Sequence, residues 1–169
     1  MSETGRYLGV NMEKIKKVMD LVIPLADYPH IPYWGTLKEA IVQLNVAYET
    51  GHHTILVFDE AYKLVGMLLQ QDILRGLEPE FAQHYEEGVP IAWDNLFKSG
   101  SEARLSRPIK EFMSGVTAKL DAEDSILKAS HIMLKNNASL LPVMDGDKLI
   151  GVIRMGDLFH EITNAVLSL

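Results

Sequence analysis

The sequence contains no cysteine among its 169 residues. This absence excludes disulfides, thiol nucleophiles, iron–sulfur clusters and zinc sites that use cysteine. Long apolar runs are missing too, because no segment approaches the roughly 20 apolar residues of a membrane helix. The first ten residues are polar and lack the apolar core of a signal peptide. We therefore expect a cytoplasmic protein with no membrane partner.

Basic residues are fewer than acidic ones. The sequence has 16 Lys and Arg and 23 Asp and Glu, which gives a net charge of -7. A polyanion would be repelled on average, so we expect no nucleic-acid partner. A cleft can still carry a local positive field, which leaves one small anion as an allowed ligand. With 47% hydrophobic and 23% charged residues, the composition is that of a globular protein.

Two parts of the chain resemble each other. The segment 63–68, KLVGML, returns as KLIGVI at 148–153, and each is followed by an aspartate, Asp72 or Asp157. The offset between the copies is 85 residues here and grows to 89 near the start of each copy, so insertions fall between elements. The chain therefore contains a duplicated supersecondary unit.

Each copy predicts a short extended segment followed by helix, strand, strand and helix. The first helix of the first copy begins with a capping box, Thr36 with Glu39, ahead of apolar residues at helical spacing. The matching helix of the second copy begins after Ser125 and ends near Asn137, since asparagine tolerates the left-handed conformation that stops a helix.

Pairs of short apolar runs follow these helices and predict strands joined by polar turns. The first copy has runs at 55–58 and 64–69, and the second joins its two strands through Asp145-Gly146-Asp147, a strong hairpin signal. Asp72 and Asp157 then lie at the start of a second helix in each copy.

In order and spacing, these motifs resemble the CBS domain, the module named after cystathionine beta-synthase, present twice as a pair. The motifs that carry the resemblance are Val18-Met19-Asp20 and Phe112-Met113-Ser114 ahead of the copies, the strand Leu141-Pro142-Val143-Met144-Asp145, the glycines Gly66 and Gly151, and the aspartates Asp72 and Asp157. The resemblance implies an α/β (α+β) fold of two β-α-β-β-α units, packed with pseudo-twofold symmetry.

The predicted boundaries are 11–77 for the first CBS domain, 78–105 for an insert and 106–169 for the second CBS domain. The insert belongs to neither copy, and its apolar residues lie among acidic ones, which predicts one or two short helices rather than a loose linker. Its expected apolar anchors are Tyr85, Ile91, Trp93, Leu96 and Phe97.

The resemblance also implies a function. Clefts between paired CBS units commonly bind AMP, ADP, ATP or S-adenosylmethionine, and their occupancy regulates an attached or partner protein. We therefore expect a freestanding regulatory module with a nucleotide ligand, an unidentified effector protein and a homodimeric state, and no required cofactor. The alternatives are a ligand-free structural or oligomerisation module and a sensor of a different small molecule.

The two aspartates are the first candidate ligand residues. A carboxylate at a helix start can accept from both ribose hydroxyls, while the positive helix end favours nearby phosphates. Asp72 and Asp157 fit this role, although aspartate is also a good N-cap without any ligand. Where the family usually has Thr or Ser three residues earlier, this chain has Leu69 and Arg154. Arg154 suits a phosphate, with an ion pair to Asp157 or a surface role as its alternatives.

By their position in the resemblance, further residues would hold the adenine, with ordinary core packing as the alternative for most of them. They are Ala118, Ala138 and Leu141 in the second copy, and Ile31, His52 and Ile55 in the first. His52 and His53 make a poor metal site, because adjacent residues on an extended segment point to opposite faces. No Ser-His-Asp order, glycine-rich phosphate loop or pair of catalytic carboxylates is recognisable, so we expect no enzyme.

Overall fold

The computed structural model describes residues 16–79, 82, 90, 92–97 and 100–169. The chain divides into two compact units. The first unit consists of residues 25–117, and the second unit combines the described residues 16–24 with 118–169. Of the predicted anchors of the insert, Tyr85 and Ile91 lie outside the described residues.

The described residues form seven strands and five α-helices. In order they are β1 (Ile23–Pro24), β2 (His30–Pro32), α1 (Leu37–Ala47), β3 (Thr54–Phe58), β4 (Leu64–Leu69), α2 (Gln70–Leu77), α3 (Ser101–Leu105), β5 (Leu120–Asp121), α4 (Ile126–Asn136), β6 (Leu140–Asp145), β7 (Lys148–Arg154) and α5 (Met155–Leu167). The order β-α-β-β-α occurs once in each unit, which confirms the predicted α/β class and the repeat.

The first unit has a three-stranded sheet in the order β2-β3-β4, with β2 parallel and β4 antiparallel to β3. The capping box of α1 is present, because Thr36 Oγ1 accepts from Glu39 N at 3.2 Å and Glu39 Oε2 accepts from Thr36 N at 2.7 Å. The hydrogen bonds that the backbone N and the hydroxyl of Thr36 donate to Glu39 Oε2 lower the pKa of the Glu39 carboxyl below its ordinary value. The core of this unit lies between the sheet and its helices and includes Leu37, Leu44, Ile55, Val57, Leu68 and Ile73.

The second unit has a four-stranded sheet in the order β1-β7-β6-β5. Its hairpin turns at Gly146, which has a φ of +59°, and α4 ends at Asn137 in the predicted left-handed conformation, with a φ of +49°. The core includes Leu120, Ala129, Met133, Val143, Ile153 and Leu158. Within the described part of the chain, every helix is too short or too polar to cross a bilayer.

Residues 16–24 fold onto the second unit, although they precede the first copy in the sequence. Val18 N donates to Asp124 O over 2.8 Å, and β1 then extends the sheet along β7. The compact units therefore differ from the contiguous segments 11–77 and 106–169. The segment that precedes each copy, called its lead-in (16–24 for the first copy and 107–114 for the second), finds its hydrogen-bond partners in the other copy.

The lead-in of the second copy makes the matching contacts in the first unit, where Ile109 N donates to Gly35 O over 2.8 Å. The equivalent segments are thus the two 3-10 helices, Val18–Asp20 and Ile109–Glu111, each with a fully buried first residue. The sequence match of Val18-Met19-Asp20 to Phe112-Met113-Ser114 is therefore offset by three residues. Short apolar strings look alike, so only the hydrogen-bond register distinguishes them.

The described part of the insert contains two short helical segments, the 3-10 helix Trp93–Phe97 and α3. Gly100 precedes α3 with a φ of +96°, a conformation that glycine adopts without steric cost. The prediction of short helices is confirmed for these residues.

Candidate functional site

The two candidate aspartates occupy the same place in the two units. Asp72 and Asp157 are the third residues of α2 and α5, and the N-caps are Leu69 and Arg154. The expectation that the aspartates cap these helices is therefore corrected, since each is the third helical residue, within the first turn. The residue three positions earlier is the N-cap itself, so its side chain can reach the aspartate.

In the second unit, Arg154 and Asp157 form a bidentate ion pair. Arg154 Nε donates to Asp157 Oδ2 at 2.7 Å, and Nη2 donates to Oδ1 at 2.9 Å. The two side chains are 27% and 34% exposed, respectively. The intramolecular pair considered from the sequence is thus present, and solvent reaches both charged groups.

In the first unit, the side chain of Asp72 is completely buried. Its Oδ2 accepts from the backbone N of Leu69 at 2.9 Å, and its Oδ1 accepts from Arg75 Nη1 at 3.1 Å. Ser114 Oγ lies 3.2 and 3.3 Å from the two carboxylate oxygens. All the hydrogen-bond partners named for this carboxylate belong to the protein. The carboxylate therefore stabilises the start of α2 and holds the Ser114 side chain in place.

The lead-in segments explain this difference. Ser114 exchanges two backbone hydrogen bonds of 2.8 Å with Met67 on β4. The position equivalent to Met67 is Val152 on β7, and its partner is Ile23. A hydroxyl thus faces Asp72, whereas an aliphatic residue occupies the matching place in the second unit. Sequence reasoning missed this role of Ser114, whose only signal was a hydroxyl residue at the end of an apolar string.

The apolar candidates of the second unit gather around one core. Leu141 is completely buried, and Ala118 and Ala138 are partly buried against the same cluster. Met155 N donates to Ser139 O over 2.8 Å, which holds the start of β6 beside the start of α5. Leu141 as a whole residue has no exposed surface, which is the core packing named as its alternative in the sequence.

The apolar candidates of the first unit are also core residues. Ile31 and Ile55 are 3% and 0% exposed within the core cluster. His52 is 9% exposed and its ring packs edge-on against Tyr28, with 4.6 Å between centroids, whereas His53 is exposed. The two histidines thus differ in environment as expected. Among the described residues, no three His, Asp or Glu side chains are grouped to hold a metal ion.

A separate cavity of about 640 Å³ lies in the first unit beside β2 and α1. Its walls include Trp34, which is 54% exposed, and Val42, and its polar rim includes Lys38 and Gln43. This volume lies within the range of about 300–1,000 Å³ that is typical of ligand pockets. None of the sequence-predicted polar candidates lines the cavity, although Ile31 does.

Residues 109–164 match the family model of the CBS domain. No curated protein sequence matches the chain. Among solved structures, the chain resembles the CBS-pair protein CBSX2 from Arabidopsis thaliana, with a TM-score of 0.66 and 18% identity over 90% of this chain and 97% of the other.

Two liganded structures are similar as well. CBSX2 in complex with AMP has a TM-score of 0.62 and 19% identity, over 88% of this chain and 97% of the other. The CBS domain pair of protein MJ0100 in complex with 5-methylthioadenosine and S-adenosyl-L-methionine has a TM-score of 0.63 and 18% identity, over 90% and 99%. At this level of identity, these similarities establish the fold.

Proposed function

We propose, from the premise that this chain contains a CBS domain within the fold of a CBS pair, that it is a regulatory module for an adenosine ligand. The ligand class comprises AMP, ADP, ATP and S-adenosylmethionine. Binding takes place in the second unit, and the bound state is transmitted to a partner protein.

The observation that carries this proposal is the partly exposed ion pair at the start of α5. Asp157 offers carboxylate oxygens suited to ribose hydroxyls, and Arg154 offers a planar fork of donors suited to a phosphate. The start of a 13-residue helix adds a positive partial charge at this place. Residues 138 and 139 are held beside the helix start, are not buried, and would offer backbone groups to the base. AMP and S-adenosylmethionine in the similar structures support the same ligand class.

The first unit contributes less to this function. Asp72 already accepts from three donors and is closed to solvent. Leu69, the N-cap of α2, has an aliphatic side chain that cannot donate a hydrogen bond to a phosphate. We therefore place the adenosine ligand in the second unit alone.

Binding without chemistry is the role that this arrangement favours. A carboxylate held by two charge-assisted hydrogen bonds is a weak general base, since its negative charge is already stabilised. The ligand is thus bound and released unchanged, as a signal requires.

A thermal-shift assay with AMP, ATP and S-adenosylmethionine tests the proposal. A ligand at one hundred times its dissociation constant should add about 2.7 kcal/mol to the free energy of unfolding. Asp157→Asn should remove this stabilisation, because the amide cannot replace the charged acceptor. Asp147→Asn, on the exposed hairpin turn, changes the net charge equally and should keep it. Unchanged melting temperatures with every adenosine compound would contradict the proposal.

A second candidate is a sensor of a different small molecule, favoured by the cavity beside β2 and α1. Trp34 and Lys38 at this cavity suit a planar ligand with an anionic group. The two candidates are distinguished by the variants above, because a ligand of the first unit would stabilise Asp157→Asn as well as the unchanged protein.

A further inference from the structure

We propose that the cavity beside β2 and α1 in the first unit binds a free amino acid with an aromatic side chain. The proposal rests on the second candidate function above, whose ligand class it specifies, and it is independent of the adenosine ligand that we place in the second unit. Three features carry it: a fixed loop before α1, the exposed side chain of Trp34, and two charged side chains of opposite sign in the cavity wall.

The loop between β2 and α1 is held in place by hydrogen bonds and by close packing. Gly35 N donates to Pro32 O over 2.8 Å, and Gly35 O accepts from Ile109 N over 2.8 Å. A Cβ on Gly35 would lie 2.7 Å from Ile31 Cδ1, so the loop packs directly on β2. This wall of the cavity is therefore formed before a ligand arrives, which lowers the entropic cost of binding.

Trp34 is the largest side chain in the cavity wall, and its ring is supported from one side. It packs edge-on against Tyr33, with 5.3 Å between ring centroids. Tyr33 is held in turn, because its hydroxyl donates to the carboxylate of Glu60 and Lys110 Nζ lies 5.8 Å from the centroid of its ring. Val42 adds aliphatic surface to the same cavity, and more than half of its surface is exposed. The aromatic ring of a ligand can thus pack on Trp34 and cover the exposed apolar surface.

The charged side chains of the cavity wall belong to Lys38 and Glu39. Glu39 accepts both hydrogen bonds from Thr36 with its Oε2, at 2.7 and 3.0 Å, so Oε1 can still accept from a cation. The same bonds lower the pKa of Glu39, which keeps the carboxyl charged at neutral pH. Lys38 is exposed, so its flexible side chain can turn toward an anion.

Two charges of opposite sign favour a ligand that carries both signs. A ligand with only a carboxylate is attracted by Lys38 and repelled by Glu39, and a ligand with only an ammonium meets the reverse. A zwitterion is attracted by both side chains. Because neighbouring residues of a helix diverge by about 100° around its axis, the two groups approach a ligand from different directions. The ammonium and carboxylate on one carbon of an amino acid suit this arrangement.

The second unit provides an internal comparison. Thr36 and Ser125 are the N-caps of α1 and α4, so they mark equivalent positions. Glu123 then stands in the place of the tryptophan, Leu127 in that of the lysine and Lys128 in that of the glutamate. These side chains offer no aromatic surface and a different set of charges. Each chain should therefore bind one aromatic amino acid rather than two.

Isothermal titration calorimetry of the full chain with L-phenylalanine, phenethylamine and 3-phenylpropionate tests the proposal. The second compound lacks the carboxylate, and the third lacks the ammonium. We expect one L-phenylalanine per chain, and a dissociation constant about fivefold higher for either analogue. Trp34→Leu should weaken the binding of L-phenylalanine by about tenfold, because the aromatic contact is lost.

Variants of the charged residues test the two ends of the ligand separately. Lys38→Met should remove the preference for L-phenylalanine over phenethylamine. Glu39→Gln should remove the preference over 3-phenylpropionate, and glutamine can still form the capping box. Lys128→Met on α4 removes the same charge from the second unit and should leave the binding of L-phenylalanine unchanged. An unchanged ligand-free melting temperature shows that each variant is folded.

Three results would overturn the proposal: no binding of L-phenylalanine, L-tyrosine or L-tryptophan, equal affinity for L-phenylalanine and either analogue, or unchanged preferences in Lys38→Met and Glu39→Gln. Asp157→Asn separates this site from the adenosine site, since it should bind L-phenylalanine as the unchanged protein does. If AMP stabilises the protein and no aromatic amino acid binds, only the present proposal fails. If L-phenylalanine binds and no adenosine compound does, the adenosine proposal fails and the second candidate function remains.

Discussion

Two aspartates at equivalent positions meet different environments in this protein, and the environment determines what each can do. Asp72 is shielded from water, so its charge must be compensated by internal donors, and three residues provide them. Asp157 is 34% exposed and paired with one guanidinium, so water or a ligand can replace that partner. The same residue type is therefore a structural element in one unit and the proposed ligand contact in the other.

This difference gives a prediction for stability. Asp72→Asn should lower the free energy of unfolding by about 1–3 kcal/mol, because the amide presents a donor where two acceptors are needed inside the protein. Asp157→Asn should change the free energy of unfolding by less than about 1 kcal/mol, since water reaches both members of its ion pair. Urea unfolding of both variants at pH 7 measures the two effects. Equal decreases in the free energy of unfolding of the two variants would show that the burial of Asp72 does not affect stability.

At the scale of elements, the glycine repeated in each copy is explained by the lead-in segments. A Cβ on Gly151 would lie 2.0 Å from the carbonyl oxygen of Ile23, and a Cβ on Gly66 would lie 2.9 Å from that of Ser114. The lead-in backbones cross β7 and β4 so closely that a side chain has no room there. The glycines thus permit each lead-in to join the sheet of its unit.

Gly151→Ala should accordingly detach β1 from β7 and lower the free energy of unfolding by about 1–3 kcal/mol, as overpacking does elsewhere. Gly156→Ala is the matched control, because no heavy atom lies within 4 Å of its added Cβ and the residue is in α5. Alanine there should be neutral or stabilise the protein by up to about 1 kcal/mol. Thermal unfolding compares the two variants, and hydrogen exchange at Ile23 reports the loss of β1. Similar melting temperatures for both variants would contradict this interpretation.

At the scale of the whole molecule, the two units are similar in fold but differ in the chemistry they present. The first unit carries the buried aspartate, the cavity and the insert, and the second unit carries the exposed ion pair. We propose that the chain forms a homodimer through the insert, since Phe97 lies in the 3-10 helix of that segment with 68% of its surface exposed. Exposed aromatic residues of this kind are common at protein interfaces.

Light scattering tests this assembly. The unchanged protein should have twice the chain mass of 19.0 kDa, and Phe97→Ser should shift the mass toward that of one chain, because the contact loses its apolar anchor. Phe159→Ser on α5, which is 66% exposed before substitution, is the control and should keep the dimer. A dimer that persists in Phe97→Ser and dissociates in Phe159→Ser would assign the interface to α5 instead.

The sequence by itself determined the repeat, the order of elements, the start of α1 and both ends of α4. These features depend on neighbours along the chain: the capping box of Thr36 with Glu39, the left-handed Asn137 and the hairpin turn at Gly146 each require only a few adjacent residues. Apolar spacing then distinguishes helix from strand, so local pattern was sufficient for the fold class. The pairing of Arg154 with Asp157 was among the alternatives for the same reason, because the two residues are three positions apart.

Only the tertiary structure decided which lead-in belongs to which unit and what each aspartate contacts. Ser114 reaches Asp72 across 42 residues, and Ile23 reaches Val152 across a still longer stretch of chain. Such contacts are set by strand register and by the packing of distant segments, and a linear pattern contains no information on either. Burial follows from that packing. It explains why Asp72 has a structural role, whereas Asp157 is available to a ligand.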